Sequence, residues 1–358
     1  SIFILVLLVL HFFNNKISAQ GCVAIRSTGV TCSMHMPDSI SQASKWQLSL
    51  NYRTYKSYKH FVGKDEQKLR VDTGSNVINH SHTMDIVLTH ELSKRWSLLL
   101  DVPVLANSRS SLYEHDRKNR YVTHSFGVGD IRLSAYRWMF DPSTSEHFNL
   151  QLGLGIKFPT GDYKYQDKFH TSDSTTQLGP VDQSIQLGDG GTGFTVEANT
   201  FYNFSHTVGL YGNFYYLINP REQNGVSTAR GGIPSTQTMQ IGSDVMSVPD
   251  QYLIRAGVNL NFGNFMASAG FRDECLPVHD LIGGSQGFRR PGYIISEEQG
   301  VSYSFKKWTA YAYVPVALVR NRTQSVPDKN KTELTGVYSQ GDAAFADYVI
   351  NVGIVIKL

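Results

Sequence analysis

The chain has 358 residues, a net charge of +3 and many aromatic and glycine residues, with 19 Tyr, 19 Phe and 31 Gly. That length suits two soluble domains or one large barrel, and charge spread evenly along the chain gives no sign of a nucleic-acid partner. Beyond the N-terminus no apolar run reaches the roughly 18 residues of a spanning helix, which excludes a helical membrane protein.

Residues 1–19 read as a secretory signal peptide: an apolar run from Ile2 to Phe13, too short to span a bilayer, ends in the small residues Ser18 and Ala19. Export to an oxidising compartment permits a disulfide. The three cysteines are Cys22, Cys32 and Cys275. A small Cys22–Cys32 loop is the first choice, and pairings with Cys275 stay open. Lipidation of Cys22 is the weaker rival. Residues 20–44 lack alternation and are expected to form a disulfide-bearing segment in the periplasm or a plug in a lumen. Met34, His35 and Met36 are soft ligand types, but three adjacent residues make no metal site.

Strands follow. Trp46, Leu48, Leu50 and Tyr52 alternate with polar residues. Residues 82–92 and 96–104 repeat the pattern around a turn at 93–95, and residues 125–139 follow a long polar segment. The clearest case is 147–159, where Phe148, Leu150, Leu152, Leu154, Ile156 and Phe158 alternate with polar residues or glycine. A period of two gives a strand with one apolar face, and about ten residues match a tilted membrane crossing. The second half continues with 194–204, 208–218, 252–262, 265–272, 293–305, 308–318 and 345–358. About twelve strands, joined alternately by five short turns and six long loops, predict an all-β, transmembrane, antiparallel up-and-down barrel over residues 45–358. An even count puts both ends in the periplasm.

Trp46, Trp96, Trp138 and Trp308 all fall at short-turn ends, as do Phe140, Phe148, Phe204, Phe262, Phe265 and Phe305, forming an aromatic girdle. Trp138 falls on the Arg132/Ser134 face, so either a bulge or a lumenal ring is expected there. Pro103, Pro159, Pro220, Pro277 and Pro315 are expected where strand pairing ends.

The same parity turns Arg53, Asp85, Glu91, Asp101, Asp130, Arg132, Lys157, Glu197, Arg255, Arg272 and Glu298 inward. Buried charges need partners, and a charged lining can also select solutes. For an enzyme, His82 and His90 are candidate rim histidines, but no GxSxG motif or distinguished serine accompanies them, so no catalytic residue is expected. Gly188–Gly193 lacks the Lys-Ser/Thr of a phosphate loop and leads into a strand. Asp182 and Asp189 lack a full calcium ligand set, so neither metal nor cofactor is expected. Arg289 and Arg290 form a loop pair that either binds an anion or ties the loop to lumenal carboxylates such as Glu298.

Three motifs, GVGDIRLSAY from Gly127, GIKFPTGD from Gly155 and QLGDGGTG from Gln186, stand in an order that resembles the barrel proteins of the phenol meta-pathway-like group, relatives of FadL-type channels. Residues 249–305, with PDQYL, GGSQGFRRPGY and SEEQGVSY, resemble outer-membrane proteins of Bacteroidetes-type bacteria. The resemblance implies an outer-membrane channel that passes small organic, often aromatic, solutes passively. Its partners are membrane lipid and those solutes, and it implies no catalytic residue. A structural or adhesion barrel with binding loops is the alternative, and a phospholipase-type barrel enzyme is the remote one.

Overall fold

The structure, a computed structural model, describes residues 45–358 and the backbone of Gln20–Gly21. Its twelve barrel strands are β1 (Trp46–Val62), β2 (Ile78–Glu91), β3 (Trp96–Ser111), β4 (Arg132–Trp138), β5 (Phe148–Lys157), β6 (Gly193–Asn203), β7 (Val208–Ile218), β8 (Gln251–Phe262), β9 (Phe265–Leu276), β10 (Gly292–Phe305), β11 (Trp308–Arg322) and β12 (Ile350–Lys357). Each pairs antiparallel with its sequence neighbour, and β12 returns to β1 from Gln47↔Lys357 to Thr54↔Ile350. Closure leaves no strand edge unpaired, the condition for a sheet to span lipid.

The alternation dictates two faces. Ile86, Leu100, Leu133, Leu154, Phe194, Ile254 and Val301 are exposed on the outer wall, where Trp46, Trp96, Trp308, Phe148, Phe204, Phe262 and Phe305 ring the short-turn end. Tyr52, Tyr216, Tyr252, Tyr293 and Tyr348 take the same outward parity towards the other end, completing two girdles around an apolar band. Register runs unbroken from Arg132↔Lys157 to Trp138↔Gln151. There is therefore no bulge at Trp138, which keeps the inward parity and meets Phe201 edge-on at 6.1 Å.

Pro159, Pro220 and Pro277 follow the ends of β5, β7 and β9, but Pro103 and Pro315 do not end strands. They lie within β3 and β11, which run on to Ser111 and Arg322. Each faces a break in the next strand. β4 is separated from its upper continuation, Tyr121–Val128, by residues 129–131, and β12 from Ala343–Ala346 by residues 347–349. A proline nitrogen cannot donate to a ladder, so the neighbour is interrupted there. The proline carbonyls still accept, from Gly129 N at 2.8 Å and from Val349 N at 3.2 Å.

Above the band several strands continue with polar residues on both faces, and the long loops add the helices α1 (Lys68–Asp72), α2 (Thr236–Gln240) and α3 (Val326–Thr335). The Gln20–Gly21 backbone pairs with Phe345–Ala346. The expected signal peptide, the Cys22–Cys32 bridge, residues 34–36 and the rest of the plug segment lie outside the described residues. Cys275 is a buried free thiol.

Candidate functional site

Inside the barrel the inward positions assemble three charged clusters at the waist. Cross-strand register sets Arg132 beside Asp101, and its guanidinium lies 3.4 Å from Asp101 and 2.5 Å from Glu197. Arg255 pairs with Glu298; Arg272 reaches Glu298 at 3.4 Å and Glu274 at 2.6 Å. Asn51 donates to Asp85 at 3.1 Å, with Arg53 on the same face. All these side chains are buried, whereas Glu91 is exposed at the end of β2. Sequence parity misplaces Glu91 because it stands where β2 gives way to a turn and its inward face ends.

Tyrosines organise these clusters through glycine. Gly153 stands opposite both Tyr136 and Glu197. The missing side chain lets the Tyr136 ring lie across it, so that the hydroxyl donates to Glu197 at 2.8 Å; a Cβ on Gly153 would sit 2.4 Å from that ring. Gly353 likewise separates Tyr311 from Asn51, and Tyr311 donates across it at 3.3 Å. Tyr211 lies over Gly257 and Gly270. Guanidinium groups stack on the waist tyrosines, Arg255 at 5.8 Å from Tyr211 and 5.0 Å from Tyr313, and Arg132 at 5.4 Å from Tyr215. The waist is a wall of tyrosine faces carrying paired charges.

The three glycine-rich motifs meet just above it. Lys157 pairs with Asp189, lies 3.3 Å from Asp130, and donates to the Gly191 carbonyl at 2.8 Å. Asp130 accepts from Gly161 N at 3.0 Å and from Asp189 N at 3.1 Å. Thr160 spans the break in β4: its hydroxyl accepts from Ile131 N at 2.8 Å and donates to the Gly129 carbonyl at 2.9 Å. The GDGGTG stretch therefore serves backbone packing. A Cβ at Gly161 would lie 2.6 Å from the Leu187 carbonyl, and one at Gly188 would lie 2.4 Å from Asp130.

These contacts hold residues 181–192 folded into the lumen. Val181, Ile185 and Leu187 are buried, and Ser125 donates to the Ile185 carbonyl at 2.5 Å. Asp182 caps the 3-10 turn Gln183–Ile185, accepting from Ser184 N at 3.0 Å, and lies 2.7 Å from Arg290 and 3.5 Å from Arg109. Burial would raise the Asp182 carboxyl, but Arg109 and Arg290 hold it well below the usual carboxylate range. Glu114 is lowered in the same way against its burial, by Arg109 and Arg230. Arg289 pairs with Asp280 at 2.6 Å. The loop Arg pair thus ties the outer loops to Asp182 and Asp280, while Glu298 is taken by Arg255 and Arg272. Between the inward segment and the wall a cavity of about 60 Å³ remains, lined by Arg53, Tyr55, Gln183, Gln186, Gln251 and Arg290 among others.

Asp182 and Asp189 engage Arg and Lys side chains, and among the described residues no cluster of metal ligands occurs. His82 lies 2.7 Å from the Tyr52 hydroxyl and 3.1 Å from that of Thr54, and His90 stacks on Trp46 at 4.0 Å. These are contacts of the outer face, and among the described residues the hydroxyl partners of His82 are Tyr52 and Thr54.

The family described as "Putative MetA-pathway of phenol degradation" matches residues 52–233, a span that holds all three converging motifs. The chain belongs to this family. Its fold is that of an outer membrane channel from Pseudomonas putida, at 12% identity and a TM-score of 0.58, covering 87% of this chain and 95% of that one. The toluene transporter TbuX of Ralstonia pickettii is 9% identical, with a TM-score of 0.41 over 88% of this chain and 90% of that one. A mutant of the monoaromatic hydrocarbon channel TodX is also 9% identical, with a TM-score of 0.44 over 95% and 96%. No curated protein matches the chain. Closed barrel, twin girdles and shared fold make this member of the phenol-degradation family an outer-membrane β-barrel.

Proposed function

We propose that the barrel passes small organic solutes, hydrophobic and aromatic ones included, across the outer membrane by passive diffusion and without a cofactor. One observation carries the reading: tyrosine rings laid flat on inward glycines line the waist with aromatic faces beside internally neutralised charges. Such faces suit a neutral aromatic solute, which can stack without stripping water from an unpaired charge. Arg53, Asp85, Asp101, Asp130, Arg132, Lys157, Glu197, Arg255, Arg272 and Glu298 are the lumen-lining set, and Arg289 and Arg290 hold the outer cap. Family membership and the fold shared with an outer membrane channel agree with this.

The same reading takes residues 1–19 as the export signal and 20–44 as a plug-like or periplasmic segment bridged from Cys22 to Cys32, in a Bacteroidetes-type protein. A second reading, a structural barrel whose loops bind partners, draws on the inward segment, since about 60 Å³ holds only about four waters. Liposome swelling separates the two. Neutral aromatic solutes are expected to enter much faster than charged ones of equal size; a folded barrel that admits no solute supports the structural reading.

A further inference from the structure

Among the described residues, the lipid-facing wall carries an adjacent polar pair on one strand. On β10 the outward positions run Tyr293, Ile295, Glu297, Gln299, Val301 and Tyr303. Aromatic rings mark both ends, and a crossing takes about 9–11 residues, so Glu297 and Gln299 lie near mid-membrane. Mid-wall positions elsewhere are apolar or small, among them Ile86, Leu100, Leu154, Ala198, Val258 and Val352. Asp273, level with Ile295 on β9 and nearer the girdle, has Tyr252 as its hydrogen-bond partner.

A carboxylate facing hydrocarbon is costly, because lipid tails supply no donor. The Gln299 amide donates to Glu297 at 3.1 Å, which satisfies a fraction of the groups the two side chains carry. The wall is low on the β9 side of Gln299, where Ala269 flanks it, and around Val301, flanked by Ala267 and Ala312, while Phe271 and Val316 flank Glu297 and Val314 is the second neighbour of Gln299. Small residues allow another wall to approach closely. The patch holds an acceptor, Glu297, and an amide donor, Gln299, within one surface, so it is self-complementary about a two-fold axis.

We infer that the outer face of β9–β11 docks a second copy of this chain within the membrane. In that dimer each Gln299 amide donates to the carboxylate of the partner subunit's Glu297. The inference stands on the outer wall and is independent of what passes through the lumen.

Cross-linking in intact outer membranes tests it with the full chain. Under oxidation Ala269→Cys is expected to give a disulfide-linked dimer, while Leu154→Cys, on another part of the wall, gives none. The double variant Glu297→Leu/Gln299→Leu is expected to lose the dimer at least tenfold in the Ala269→Cys background. It should still migrate as a folded, heat-modifiable barrel, since leucine suits the lipid face. A monomeric Ala269→Cys chain, an unchanged dimer in the double variant, or a Glu297-dependent adduct with a protein of another mass would each overturn the inference.

Discussion

Thr160 shows how one side chain repairs a broken ladder. It accepts from Ile131 N and donates to the Gly129 carbonyl, groups orphaned where Pro103 interrupts the next strand. Thr160→Val is isosteric and removes both bonds, so it should lower stability by about 1 kcal/mol, read as a lower urea midpoint of the refolded barrel; an unchanged midpoint would contradict the role. Gly353 acts by absence. A Cβ there would lie 2.4 Å from the Tyr311 ring, so Gly353→Ala should lift the ring into the lumen and reduce single-channel conductance. The double variant Gly353→Ala/Tyr311→Ala should restore it. Residues such as these divide by legibility. A period of two places Arg132, Ser134 and Tyr136 on one face without any structure. Nothing in that period marks Gly153 or Gly353 as floors for a tyrosine of the neighbouring strand, because the pairing that joins them is between strands. Pro103 and Pro315 misled for the same reason: the break that accommodates each is in a neighbouring strand.

The inward segment 181–192 depends on a few charged tethers. Arg290→Ala removes the 2.7 Å contact to Asp182 and should raise conductance and local hydrogen exchange over residues 181–187. Its pH response follows from sign. Asp182 lies below its ordinary 3.8 in the folded chain, so its stabilisation is complete above about pH 4 and fades only in stronger acid. His115, in the outer loop, is lowered from 6.5 by burial against the partial opposition of Glu114. Its ring nitrogen accepts from His170 N at 3.0 Å. An opened loop therefore takes up a proton that the closed loop does not, and the contact weakens as pH falls below 6.5. Between pH 7.5 and 5.5, exchange should rise over residues 115–121 and 166–170 and stay constant over 181–187; the reverse order would contradict the assignment. The strands were readable because lipid demands one apolar face. The extensions of β1 and β3 above the membrane were not, since both faces there are polar and alternation disappears.

For the molecule as a whole, lipid outside and water inside account for the barrel: an apolar band between two girdles, a closed ladder, and a polar interior whose charges are paired. Strand number and the side of the short turns follow from the sequence. The filling of the outer lumen does not, because long polar loops carry no period, and the glycine motifs that fold one of them inward display their purpose only once Asp130, Lys157, Gly161 and Asp189 meet. The central claim is that a tyrosine-lined waist, partly covered by a tethered segment, passes neutral aromatic solutes. Proteoliposome swelling with a neutral phenolic solute, comparing the native chain with Arg290→Ala, tests it most directly. The account predicts measurable entry through the native barrel and entry several-fold faster through the variant. No entry through either, with both barrels folded, would contradict it.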